Sequence, residues 1–444
     1  MSDPLPLFEF SKFAGIHDPR FHIGTATAAF QIEGSGHTQG RAASIWDQFH
    51  GAGHSIAGDG CAHLQHWRDD LKLVKELGFD SYRLSLSWPR LINDHDGHVA
   101  AAGVAFYRQL LQQLQQLELR AVVTLYHWDL PEYWQQQGGW CNRQTAIAFA
   151  QYAKMVAETF GDLIDTIYTI NEPWVVAMLG HRSGEHAPGI QDEQAAFHCA
   201  HHLLLAHGLA VNEIRAHCSA KVGIVLNGGP CDPVTISSND QRAAQYAYQE
   251  GTELFASPLF NGNYPELVLA RHQQHLPAGW QQDLLQIQQP LDRLGLNYYC
   301  RYRISEQHGE QPGCAPLSTM GWEQSALGLY RWLTKLQRQH PLPPIEITEN
   351  GIALEETLTE AGLRDPQRWH YICEHLKAVD AAICDGIDLR GYFVWTLMDN
   401  FEWGHGYSQT FGIVHVDRNT MARTPKASAL ALQASLKQRQ QNSD

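Results

Sequence analysis

Short apolar runs alternate along the chain with longer stretches in which apolar positions recur every three or four residues. Eight of the runs have strand character: residues 21–28, 81–87, 121–126, 166–170, 222–226, 294–298, 345–348 and 391–395. They are brief, rich in branched and aromatic side chains, and bounded by polar or turn residues. Between them, residues 67–77, 104–117, 145–160 and 366–385 carry the amphipathic helical pattern. The glutamines from Gln112 to Gln116 sit where Leu recurs at helical spacing, so they read as the wet face of a helix. Strands alternating with helices predict a parallel sheet. Eight of them predict a closed (β/α)8 TIM barrel of the α/β class, with the whole chain as a single domain. Residues 1–15 and 437–444 are expected to lie at the periphery or to fray.

The rival is an open doubly wound sheet with a nucleotide site. That fold needs a phosphate loop after its first strand, and Gly34, Gly36 and Gly40 have the wrong spacing for a dinucleotide fingerprint. No P-loop pattern occurs, no internal repeat, and no long linker. At 444 residues the chain is long for one domain, but barrels with insertions pass 400.

Composition narrows the partners. With 32 basic and 47 acidic residues the formal charge is −15, which repels phosphate backbones and argues against nucleic acid. No apolar run is long enough to cross a membrane, and no basic block suggests a lipid surface. The nine cysteines are odd in number and form no C-x-x-C, so free thiols in a reducing compartment are expected. The first fifteen residues lack a basic region followed by an apolar stretch. Together these features predict a cytoplasmic protein.

Candidate chemistry gathers where the strands end. Gln31 and Glu33 come after the first strand. Arg83 lies in the second, which ends at Trp88. The third ends in Tyr126-His127-Trp128-Asp129, the fourth in Asn171-Glu172, and the sixth in Asn297-Tyr298-Tyr299. The seventh ends in Glu349-Asn350-Gly351 and the eighth in Trp395, with Asp399, Glu402 and Trp403 just beyond. In a barrel all these ends open on one face, where active sites form. Glu172 and Glu349 each come directly after an apolar run, so both stand at the mouth. Two carboxyls facing one pocket are the equipment of glycoside hydrolysis: one donates a proton to the leaving oxygen and the other stays ionised. Trp128, Trp322, Trp395 and Trp403 offer stacking faces for a sugar. Gln31, His127, Asn171, Asn297 and Glu402 offer directional hydrogen bonds.

These segments resemble those of glycoside hydrolase family 1, the β-glucosidase family. Thr169-Ile-Asn171-Glu172-Pro173 and Ile347-Thr348-Glu349-Asn350-Gly351 are similar to its two signature segments. The residues from Gly24 to Gly34, from Tyr82 to Arg90, from Tyr126 to Pro131 and from Trp395 to Trp403 match in order, so the resemblance spans nearly the whole chain. It implies a retaining β-glycosidase, most simply a β-glucosidase, that forms a covalent glycosyl-enzyme. Its substrate would be a small β-glycoside or an oligosaccharide, with glucose, galactose or fucose as the cleaved sugar. By resemblance, Glu172 is the general acid/base and Glu349 the nucleophile. Tyr299 and Arg83 would touch Glu349, although Arg83 could instead be a structural ion pair inside the barrel. Gln31, His127, Asn171, Glu402 and Trp403 would surround the non-reducing sugar, with Trp395 as its floor. Trp322 would wall the aglycone side, and Phe411 would lie near the 6-hydroxyl. Cys300 and Thr410 depart from the common pattern, where a small hydroxyl residue and Arg are frequent.

Two alternatives bear on the substrate. A branch of the family cleaves 6-phosphosugars, which needs cationic or hydroxyl donors after strand eight. Residues 402–411 contain no Lys or Arg, and Glu402 would repel a phosphate. A non-catalytic sugar-binding barrel could dispense with one of the glutamates. The 25 histidines suggest no metal: His198, His201 and His202 share a helical spacing, but no carboxylate completes a ligand set. No cofactor is expected. The oligomeric state is left open.

Overall fold

The computed structural model describes residues 4–34, 40–49, 57–314, 316–356, 358–359 and 362–441. Gly36, residues 1–3 and residues 442–444 lie outside these. Eight parallel strands close into a barrel: β1 His22–Ala26, β2 Ser81–Ser85, β3 Arg120–Tyr126, β4 Thr166–Asn171, β5 Lys221–Asn227, β6 Arg293–Asn297, β7 Ile345–Asn350 and β8 Leu389–Trp395. Each pairs with its neighbours in sequence, and β8 pairs with β1. Every predicted strand is present, with ends shifted by up to two residues. The principal outer helices are α1 His63–Glu76, α2 Ala101–Gln116, α3 Arg143–Phe160, α4 Glu193–His217, α5 Ser238–Tyr248, α6 Ala326–Gln339, α7 Pro366–Cys384 and α8 Ala427–Gln441. Four start at a capping side chain: Asn142, Asp192, Ser237 and Ser325 each accept a first-turn N–H. A three-stranded sheet formed by Cys231–Pro233, Tyr302–Ser305 and Gly309–Gln311 is separate from the barrel sheet.

The barrel is filled rather than hollow. Ala26, Val122, Tyr168, Val225, Phe393 and Trp395 belong to one buried cluster. Gly24 makes room for Phe393, whose ring would lie 2.6 Å from any Cβ at that position. Glu346 is fully buried and accepts from Arg120 at 2.5 Å and Tyr168 at 2.8 Å, so its charge is compensated. The described residues near the two ends pack into the fold. Phe8 and Phe10 are buried. Helix α8 runs on to Gln441, with Arg439 donating to the carbonyl of Phe21 at 2.6 Å. Buried aromatic rings near one end and a long cation near the other anchor the described residues there.

The nine cysteines are free, as expected. The histidines of α4 serve packing. His201 bonds Tyr264 and Asp283 through its two ring nitrogens, and His202 bonds the carbonyl of Trp140. Among the described residues, no helix is long and apolar enough to cross a membrane.

Candidate active site

Glu172 and Glu349 stand at the ends of β4 and β7, and both strands slip in register just before them. The β4–β5 pairing shifts between Tyr168 and Asn171, and the β7–β6 pairing between Ile347 and Glu349. Such irregularities re-aim side chains beside active sites. Glu172 also has φ of 48°, and the neighbouring Trp128 and Trp403 have φ of 79° and 44°. The left-handed region costs a non-glycine residue of the order of 1–3 kcal/mol, and three cases in one site mark a geometry held against local preference. Gly351 allows β7 to pass β8: a Cβ there would sit 1.7 Å from the carbonyl oxygen of Trp395.

Arg83 ties the site together from β2. Its guanidinium donates to Glu349 Oε1 at 2.7 Å, to Asn171 Oδ1 at 2.7 Å and to the carbonyl of Thr348 at 3.1 Å. Tyr299 donates its hydroxyl to Glu349 Oε2 at 2.6 Å. Both oxygens of Glu349 are therefore held. Glu172 receives one amide donor, Asn297 Nδ2, at 2.5 Å. Thr348 fixes that amide by donating to Asn297 Oδ1 at 2.7 Å. Arg83 is thus both the partner of Glu349 and an ion pair inside the barrel, since it is 1% exposed.

The electrostatics separate the two carboxyls. Burial raises the pKa of both. Against this, Glu349 has the charge of Arg83 and the hydrogen bonds of Arg83 and Tyr299. Glu172 has burial and the negative charge of Glu349 acting together, opposed mainly by an amide. The first proton to leave the pair leaves Glu349, and Glu172 keeps its proton to higher pH. Tyr299 stays protonated, because burial and the adjacent carboxylate push its pKa well above the phenol range. His127 is neutral, its pKa forced down by burial and by Arg83.

The remaining predicted residues join the same constellation. His127 Nε2 lies 3.2 Å from Asn171 Nδ2, and its ring runs nearly parallel to those of Trp395 and Trp403, with centroids 5.8 and 5.9 Å away. Trp128 packs on Trp403 at 4.7 Å and donates Nε1 to the carbonyl of Asn171 at 2.9 Å. It therefore braces the site as well as offering a face. Gln31 donates to Asn400 and to the carbonyl of Phe401, leaving its buried Oε1 with no partner among the described residues. The Glu402 pKa is raised to about 8 by burial and by Glu349. Tyr299, Trp322 and Phe411 form an aromatic wall with centroids 5.1 to 6.1 Å apart.

Other strand-end residues prove to be scaffold. Glu33 is held by Arg90 and Tyr107 at 2.7 and 2.6 Å, and Asn350 by Tyr298, Tyr371 and Tyr392. Asp129 is buried with neither oxygen in a close hydrogen bond, and its pKa rises to about 8 through that burial. Three supports are not singled out by the sequence reading, although Phe30 and Thr348 lie within segments it matches. Phe30 stacks on Trp403 with planes 11° apart, Trp46 lies 4.6 Å from Trp403, and Thr348 orients Asn297.

A pair of carboxyls with unequal proton affinity, a ring-sized aromatic floor and hydrogen-bonding groups around it can protonate one oxygen while an anion attacks the carbon beyond it. The comparisons with known proteins agree. The sequence matches the family model for glycosyl hydrolase family 1 over residues 16–441. It is 40% identical over 422 residues to a 1,4-beta-D-glucan glucohydrolase of Thermotoga neapolitana, covering 92% of this chain and 95% of that one. It is 38% identical over 445 residues to a bifunctional beta-D-glucosidase/beta-D-fucosidase of Bifidobacterium breve, covering 92% and 95% of the two chains. The family 1 β-glucosidase of Thermotoga maritima in complex with isofagomine lactam superposes with a TM-score of 0.92 at 39% identity, covering 95% of this chain and 98% of that one. The chain belongs to glycosyl hydrolase family 1 and is a glycoside hydrolase.

Proposed function

We propose that the chain works as one catalytic unit, a cytoplasmic retaining β-glucosidase acting on short β-glucosides such as cellobiose. The observation that carries this reading is the asymmetry of the pair: Glu349 is gripped at both oxygens by a cation and a phenol, while Glu172 is buried beside it with an amide.

In the first step Glu349 attacks C1 of the sugar. The C1–O bond breaks, its electron pair goes to the leaving oxygen, and that oxygen takes the proton of Glu172. A glycosyl ester and a free alcohol result. Esterification removes the charge of Glu349, so the Glu172 pKa falls and Glu172 becomes a base. It then takes a proton from water, whose oxygen bonds to C1 as Glu349 leaves as carboxylate. Two inversions restore the β configuration. Asn171, oriented by Arg83 and Trp128, serves the 2-hydroxyl, where hydrogen bonds tighten at the transition state. Gln31, His127, Glu402 and Trp403 hold the rest of the sugar over Trp395.

Unphosphorylated sugars fit best. Three cations that touch the segment after β8 are engaged: Arg368 donates to the carbonyls of Thr410 and Phe411 and to Asp365, Lys426 to Glu356 and Asp399, and Arg418 lies over the ring of Tyr407 at 3.8 Å and donates to the carbonyl of Gly60. The relative with both glucosidase and fucosidase names supports tolerance at the 4- and 6-positions, since D-fucose is 6-deoxygalactose, and galactosides are therefore a further candidate. A panel of chromogenic β-glucoside, β-fucoside, β-galactoside and β-glucoside 6-phosphate tests the reading. The plain glucoside should be turned over and the phosphosugar should not. Turnover of the phosphosugar alone would overturn the assignment.

A further inference from the structure

Past the ends of β4 and β5 the surface holds a cavity of about 510 Å³, walled by Trp174, the end of β5, helix α5 and the three-stranded sheet. Trp174 lies two residues past Glu172. Asn227 ends β5 opposite Asn297, the residue that bonds Glu172. Trp174 Nε1 and Asn227 Oδ1 are both buried atoms with no partner among the described residues. The residues lining the cavity therefore include one unsatisfied donor and one unsatisfied acceptor, the acceptor one strand pairing away from the amide that bonds Glu172.

Its charge is uneven. Three carboxylates and one guanidinium line it. Glu250 is already paired with Arg182 at 2.9 Å. Arg271 is held over the ring of Tyr246 at 3.7 Å. Glu306 and Glu310, on the hairpin of Tyr302–Ser305 and Gly309–Gln311, form no ion pair among the described residues. Glu310 lines the cavity together with Tyr302 and Cys231, and its strand pairs with that of Tyr302, Ile304 opposite Glu310. The cavity that Trp174 and Asn227 line thus carries two carboxylates with no ion-pair partner among the described residues.

We propose that Glu306 and Glu310 select the leaving group by charge, so that β-glucosides with a cationic, donor-rich aglycone are favoured over those with an anionic one. The inference rests on the glucosidase reading and adds a specificity that neither family membership nor the catalytic pair supplies. A cation entering the cavity gains the field of two unpaired carboxylates, and an anion meets the same field with opposite sign.

Three aryl β-glucosides of one shape test it: 3-(aminomethyl)phenyl, 3-(hydroxymethyl)phenyl and 3-carboxyphenyl. For the parent enzyme the ratio of kcat/KM for the cationic over the anionic substrate should be about tenfold or more at low salt, and it should shrink as salt screens the field. Comparing each ratio with that of a variant cancels the intrinsic reactivity of the leaving groups. In Glu310→Gln the ratio should drop about threefold, and in Glu306→Gln/Glu310→Gln it should approach the value set by leaving-group chemistry alone. A ratio that is unmoved by salt and equal in parent and both variants would overturn the charge selection while leaving the glucosidase reading intact. If the parent enzyme turns over none of the three, the glucosidase reading falls and this inference with it.

Discussion

Replacing Glu349 by Gln should lower kcat on every β-glucoside by about 10⁴-fold or more, equivalent to about 5.4 kcal/mol of lost transition-state stabilisation. An amide cannot form the glycosyl ester, and no other carboxylate among the described residues shares the contacts of Glu349 with Arg83 and Tyr299. Sugar binding should persist, because Gln31, His127 and Trp395 are untouched. Binding of glucose to the inactive variant separates lost chemistry from lost folding. In Glu349→Gly, added azide should restore turnover by entering the vacated space, and the product should be the α-glucosyl azide, since a single displacement inverts C1. Near-normal turnover by Glu349→Gln would remove the nucleophile assignment.

Replacing Glu172 by Ala should give the second largest effect, and one that depends on the leaving group. Alkyl glucosides and disaccharides, whose oxygen must be protonated as it departs, should slow by about 10³-fold or more. A dinitrophenyl glucoside departs without help, so its first step should slow by about tenfold or less. The pH profile should change in parallel. Burial and the charge of Glu349 raise the Glu172 pKa, so the acid form survives to neutral pH and is lost as pH rises through the raised value. The parent enzyme should therefore show an alkaline fall in kcat/KM, and Glu172→Ala should lack it on the activated substrate. An equal loss on good and poor leaving groups, with the alkaline limb intact, would place the acid elsewhere.

Much of this was legible in the sequence because barrel strands are buried on both faces and stand out as short apolar runs. The residues at the C-terminal end of each run then lie at one rim by topology alone, which is why Glu172, Glu349, Gln31, Asn297 and Glu402 can be gathered from the sequence. Helix α4 was not legible: it is buried nearly all round, so it carries no amphipathic period, and its histidines drew attention as possible ligands when they are packing groups. Strand-end position alone also misjudged Glu33 and Asn350. Whether such a residue faces substrate or scaffold depends on partners such as Arg90, Tyr107 and Tyr371, which lie far from it in the chain. The braces of Trp403 escaped for a related reason. Phe30 and Trp46 reach it across the rim, through contacts that no local spacing encodes.

Double displacement through Glu349 is tested most directly by the configuration of the sugar first released. Proton NMR of a β-glucoside digested by a large amount of enzyme, read within the first minutes, resolves the two anomers before they equilibrate. β-Glucose should appear first, with α-glucose growing in only at the rate of mutarotation. Initial release of α-glucose would mean a single displacement by water, which the gripped carboxylate of Glu349 is not built to assist, and would contradict the double displacement.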